Sequence, residues 1–303
     1  MAARLFLFVQ MEFPWELGPA DGRYLLRKPT SGGVGGDPDR VVVLDTVGAA
    51  RRRGRLGARR PPATPEPAPV PTSRATVIDP VSVSAEGQAR KWLAQLDVHQ
   101  EASAAAATVN RVLLAHRIAT ADPHVRELSP AHALVVRAGW GEGEQVAYGH
   151  WLHARELRLD ERRTRRRSAA LRSHEHFAAL LGAREQALVC EELALRARLD
   201  LDEGRLPHAA LELEHAYTAA LAELTEDERP DLAERIAELV QLRPGVIEAA
   251  RIVLGGGDSD TPATAGRRGS SDTPAGPDEE VIRHALGRLE AALRARAAAE
   301  LQR

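Results

Sequence analysis

Eight arginines, Arg155, Arg158, Arg162, Arg163, Arg165, Arg166, Arg167 and Arg172, crowd into residues 155 to 172 beside only three acids. Guanidinium groups pair bidentately with phosphates, so a cluster of this kind supplies sequence-independent, salt-sensitive affinity for nucleic acid or another polyanion. The stretch that follows, 185 to 238, carries fifteen Asp and Glu against five Arg. A local charge of about +5 therefore adjoins one of about −10 inside a chain whose total is −2. Neighbouring segments of opposite sign can neutralise each other, and the near-neutral total, the pI of about 6.6 and the lack of interleaved aromatics favour that electrostatic role. Anion binding by the eight arginines, with Arg51, Arg52 and Arg53 as auxiliaries, is the alternative.

The remaining chemistry-bearing residues point to no reaction. His150 and His153 stand three apart, which shares a face on a helix, yet they fall at a strand end. His174 and His176 stand two apart, which shares a face on a strand, yet they fall in a helix. Neither pair has a third ligand in view, so no metal is expected. Gly139, Gly141 and Gly143 lack the full dinucleotide fingerprint, and Glu142 and Glu144 would repel a phosphate, which leaves a β-turn. Lys28 and Lys91 are the only lysines, and neither follows a Walker glycine pattern. Cys190, the single cysteine, sits on the apolar side of a helix as a small buried hydrophobe. There is no Gly-x-Ser-x-Gly elbow. No catalytic residue and no cofactor are assigned.

The elements that must position these residues are of two kinds, so the fold class expected is α+β. With 44% hydrophobic residues but 4% aromatics in 303 residues, the core rests on Leu, Val, Ile and Ala and suits helix packing. Residues 1–48 form a β-rich segment, with strands over 5–13, 24–27 and 41–45. Residues 49–74, rich in Arg and Pro, read as a linker. Residues 75–160 form an α+β segment that packs with 1–48. It holds a strand at 76–79, helices at 86–97 and 100–119, and a hairpin of 133–138 with 145–148 around the glycine turn. Trp15, Trp92 and Trp140 are assigned to core packing.

Residues 161–254 form an α-helical, bundle-like region. Its apolar set Ala210, Leu213, Tyr217, Ala220, Leu221 and Leu224 keeps to one helical face. Pro230 opens the next helix, and Pro244 opens a shorter one that ends at Gly255. Residues 184–224 resemble a single tetratricopeptide-type hairpin, but no second copy follows at a fixed period, and an ordinary antiparallel helix pair is the expectation. Residues 255–277, dominated by Gly, Ser, Asp, Thr and Pro, read as a disordered linker. Residues 278–303 form a tethered amphipathic helix with Ile282, Leu286, Leu289 and Leu293 on one stripe.

No signal peptide and no membrane span are recognised, and one cysteine excludes an internal disulfide framework, so a soluble cytoplasmic protein is expected. The functional expectation is a non-enzymatic protein-interaction or regulatory module. Its partner-binding residues are Ile282, Leu286, Leu289 and Leu293, which fold back on the chain's own helices, capture a protein partner, or self-associate. The alternative is a nucleic-acid or polyanion-binding protein acting through 155–172.

Overall fold

Continuous apolar runs in its strands give the first part of the chain two apolar sheet faces, and each face finds its own cover. The computed structural model describes residues 4–27, 38–48, 71–159, 167–226, 230–255 and 276–300. The fold is α+β, and the chain divides into two units, 1–161 and 162–303.

In the first unit, strands β1 (Leu5–Phe13), β2 (Gly22–Leu26), β3 (Arg40–Val47), β4 (Thr72–Ile78), β5 (Val135–Glu142) and β6 (His153–Glu156) build one antiparallel sheet. Their order is β2-β3-β4-β1-β5-β6. The odd residues of β1, Val9, Met11 and Phe13, join Val42, Leu44, Ala75, Val77, Val136, Ala138 and Trp140 on one face. Helices α1 (Glu86–Gln95) and α2 (Val98–Thr120) cover that face with Ala89, Leu93, Ala102, Ala105, Ala106, Val109 and Leu113. The alanines of α2 let its backbone approach the sheet. Asp97 caps α2, accepting from the Gln100 amide at 3.0 Å. Buried Asn110 then exchanges two hydrogen bonds with the backbone of Leu128, which pins the return chain to the helix.

The opposite face carries Phe8, Val41, Val43 and Ile78 under Val146 and Ala147 of a short 3₁₀ turn, Gly143–Tyr148. Gln10 is fully buried there, and its amide donates to Thr76 Oγ1 at 2.9 Å and to the Ala147 carbonyl at 3.2 Å. Beyond it Glu12 accepts from both Arg74 and Arg137, at 3.1 and 3.0 Å.

Two local expectations are corrected here. The glycines at 139 and 141 lie inside β5, not in a turn, and the partner of β5 is β6 while 145–148 is helical. A Cβ on Gly139 would stand 2.1 Å from the His153 carbonyl oxygen and 2.8 Å from the Ala154 Cα. Glycine is required by the close approach of a neighbouring backbone. Likewise residues 72–74, assigned to the linker, are the start of β4, where Arg74 faces Glu12.

The second unit is helical: α3 (Arg167–Leu181), α4 (Val189–Asp202), α5 (Leu206–Glu226), α6 (Ala233–Val253) and α7 (Glu279–Glu300). Gly204, at φ +71°, ends α4 and turns the chain into α5. A 3₁₀ turn at Pro230–Leu232 precedes α6. The break expected at Pro244 does not occur, and α6 runs through it. Pro244 and Val240, whose carbonyl loses its helical partner, both lie on the exposed side, where water replaces the missing amide. No helix among the described residues is long and apolar enough to cross a membrane.

Candidate functional site

Among the described residues, the last helix carries the candidate residues whose surroundings are most fully defined. Its apolar stripe, Ile282, Ala285, Leu286, Leu289 and Ala292, is buried to 1% exposure or less, and Leu293 at the end of the stripe is half-buried. The groove that receives it belongs to α4, α5 and α6, through Ala194, Ala197, Leu213, Tyr217, Ala220, Leu239 and Val246 among others. Spacing explains the stripe, since positions 282, 285, 286, 289, 292 and 293 recur on one helical face.

Polar contacts fix the register. The Tyr217 hydroxyl, buried, donates to the Ala285 carbonyl at 2.8 Å, in the middle of the stripe. Arg198 donates to Glu290 at 2.8 Å, Arg288 pairs with Glu238, and Arg296 lies 3.8 Å from Glu191. The pairing of Glu238 with Arg288, together with the approach of Gly245 to Val281, sets α7 antiparallel to α6. The pairings of Arg198 with Glu290 and of Glu191 with Arg296 set it antiparallel to α4 as well. Acids of the 185–238 stretch thus find cations inside the bundle, in Arg196, Arg198, Arg205, Arg288 and Arg296.

At one end of the groove the amides of Val189 and Cys190, which open α4, both donate to the Glu223 carboxylate at 3.0 Å. Burial opposes the ionisation of Glu223, but hydrogen bonds from the Cys190 thiol and these amides, with Arg296 nearby, hold its carboxyl below the usual range. Burial and the hydrogen bond to Glu223 push the Cys190 thiol well up, so it stays protonated and unreactive. Burial likewise pushes the Tyr217 phenol up, with Glu238 adding to it, which keeps that hydroxyl a donor to α7.

The partner-binding residues read from the sequence, Ile282, Leu286, Leu289 and Leu293, are therefore brought together and covered by the protein's own helices. They are not an open surface. The residues that fix the register, Tyr217, Arg198, Glu238 and Glu191, lie 50 to 105 positions from their partners on α7. No local pattern joins them, though Tyr217 does stand on the apolar face that the sequence identifies.

The basic segment is not assembled as one site. Arg155 lies on β6 and donates to the Leu93 carbonyl near the end of α1 at 3.1 Å, and Arg158 follows as an exposed residue. Arg162, Arg163, Arg165 and Arg166 lie outside the described residues, as do the side chains of Arg167 and Arg172, whose backbone belongs to α3. His153 stacks on Trp140 at 4.7 Å between ring centroids, and His176 Nδ1 lies 2.7 Å from Glu185. Among the described residues no group of three or more His, Cys, Asp or Glu could hold a metal ion. No family model matches the chain, and neither a curated protein nor a solved structure is similar to it.

Proposed function

We propose that the protein is a non-enzymatic protein-interaction module in which α7 is a stored recognition helix, released from its own groove to a protein partner that engages Ile282, Leu286, Leu289 and Leu293. The observation that carries this reading is the length of the connection. Residues 254–278, 25 in all, separate α6 from α7. Because the two helices are antiparallel with Gly245 beside Val281, the levels of Gly255 and Asp278 differ by roughly 10 Å at 1.5 Å per residue. Adding a helix-to-helix spacing of about 8–10 Å gives a span of about 15 Å, which the usual connection of 2–8 residues closes. A flexible 25-residue chain has a root-mean-square reach of roughly 25–30 Å. The connection is therefore longer than docking requires.

The tether sets a threshold for the partner. It holds α7 at an effective concentration on the order of 1 mM. A partner's apparent affinity is reduced by the fraction of molecules in which α7 is docked. Only a groove that matches both the apolar stripe and the charges around it succeeds.

The test is to place a specific protease site within 256–275, cleave the purified full-length protein, and follow entry of a fluorescent 276–303 peptide by anisotropy. Exchange into the cleaved protein, and far slower or no exchange into the intact one, is the expected result. If the labelled peptide never enters the cleaved protein, α7 is a permanent core element and the reading fails. A concentration-dependent dimer of the intact chain would instead identify a second copy as the occupant.

A further inference from the structure

A cavity of about 90 Å³ lies between the helices and the sheet of the first unit, lined by Leu7, Val9, Val77, Ala104 and Ala105 together with Arg40, Asp79, Trp92, Glu101 and Thr108. Arg40 and Asp79 share the face of the sheet that α2 covers, since each is two positions from a residue of that core, Val42 and Val77. Two acids and a guanidinium, each partly exposed, thus line one pocket together with Thr108.

The charges there are not consumed by one another. Among the described residues the Glu101 carboxylate makes no hydrogen bond and no ion pair within 4 Å, Asp79 accepts only from the Val81 amide at 3.0 Å, and Arg40, 42% exposed, donates to the Asp39 carbonyl at 2.7 Å and lies 3.8 Å from the Asp39 carboxylate. Burial pushes the Glu101 carboxyl up, against the pull of Arg40 and with the help of Asp79. A partly desolvated carboxyl in a concave site, facing charges of both signs, is the arrangement expected of a binding site.

We propose that this cavity binds a small zwitterion, an amino acid of glycine or alanine size, with its carboxylate on Arg40 and its ammonium between Asp79 and Glu101. Size and charge both select this class. The volume falls short of the ~300 Å³ at which drug-sized pockets begin. A simple anion meets two carboxylates, and a simple cation meets a guanidinium. Only a ligand carrying both charges answers both sides. The planar fork of Arg40 suits a carboxylate, an ammonium offers three donors to the two acids, and Trp92 contributes an aromatic wall. This site is independent of α7.

The experiment titrates the full chain with glycine, alanine, acetate and methylammonium while following the Trp92 indole resonance by NMR. Saturable binding of glycine or alanine, at least tenfold tighter than either single-charge probe, is expected. Arg40→Gln and Glu101→Gln should each weaken it at least tenfold while the thermal melt shows the variants folded. Absence of saturation by either amino acid, or equal binding of acetate or methylammonium, overturns the proposal. So does amino-acid binding that both substitutions leave unchanged. The wild-type comparison needs no variant and decides the matter even where a substitution fails to fold.

Discussion

Truncating Leu286 to alanine separates a stored helix from an integral one. Leu286 is fully buried on the α7 stripe, and removing such a side chain costs about 2–5 kcal/mol, because the lost transfer energy is joined by a residual cavity. At 1.4 kcal/mol per decade this raises the population with α7 undocked by about 30- to 4,000-fold. Native-state hydrogen exchange reads the two cases apart. If α7 leaves alone, its amides in the wild-type protein open with a lower free energy, and a weaker denaturant dependence, than those of α5 around Leu213 and Tyr217. In Leu286→Ala both sets fall by the same amount, since both openings break the same contact, and the gap between them persists. Equal opening free energies for α7 and α5 in both proteins would refute the reasoning, because α7 would then separate only when the whole bundle unfolds.

Other perturbations test other links. Gly139→Ala places a methyl group 2.1 Å from a backbone oxygen that cannot turn aside. We expect about 1–3 kcal/mol of destabilisation in urea melts and loss of β6 protection, whereas Gly287→Ala, with open space around it in α7, should stabilise by about 0.5–1 kcal/mol. Above about pH 9 the folded protein keeps protons on Cys190 and Tyr217 that the unfolded chain releases at its ordinary values of 9.0 and 10.0. The unfolded state then binds fewer protons, so stability present at neutral pH should fall as pH rises, by about 1.4 kcal/mol per unit for each group, in denaturant melts from pH 8 to 11. Tyr217→Phe should flatten the upper part of that slope. For the polyanion alternative, labelled DNA and RNA should bind the full chain at about 50 mM salt and lose orders of magnitude by about 200 mM. Replacing Arg162, Arg163, Arg165, Arg166 and Arg167 with serine should abolish the effect, and no binding at low salt rejects the alternative.

What was legible in the sequence was what depends on near neighbours. The runs of β-forming residues in 5–13 and 41–45 marked β1 and β3, and the three-and-four spacing of Leu213, Tyr217, Ala220 and Leu224 marked the buried face of α5. What depends on distant approach was misread. Gly139 looks like a turn residue because the backbone that demands it, at His153 and Ala154, belongs to a strand more than ten residues later. Pro244 looks like a helix start because its exposure on α6, which makes it tolerable, is a property of packing. Arg40, Asp79 and Glu101 pass for unrelated surface charges in sequence, since only the approach of α2 to β1, β3 and β4 brings them to one pocket. The stripe of α7 could be read residue by residue, but its receiver could not.

The charges around α7 also say what a competing groove must look like. In the docked state Arg288 and Arg296 meet Glu238 and Glu191, while Glu290 between them meets Arg198. The order along α7 is therefore cation, anion, cation, against acid, base, acid in the groove. Apolar burial supplies most of the docking energy but discriminates poorly among amphipathic helices, since any Leu-rich stripe of the same period buries similar area. The alternating charges select, because a helix or a groove in the wrong register juxtaposes like charges in a partly desolvated site. A groove that extracts α7 must present acid, base and acid opposite positions 288, 290 and 296 over an apolar floor. Glu290→Arg should weaken docking of α7 in its own groove and in the partner's alike, since both read the same residue. Release without capture would then appear as faster exchange of α7 amides with no gain in partner binding, and a variant that lost the first but kept the second would show that the partner reads some other surface.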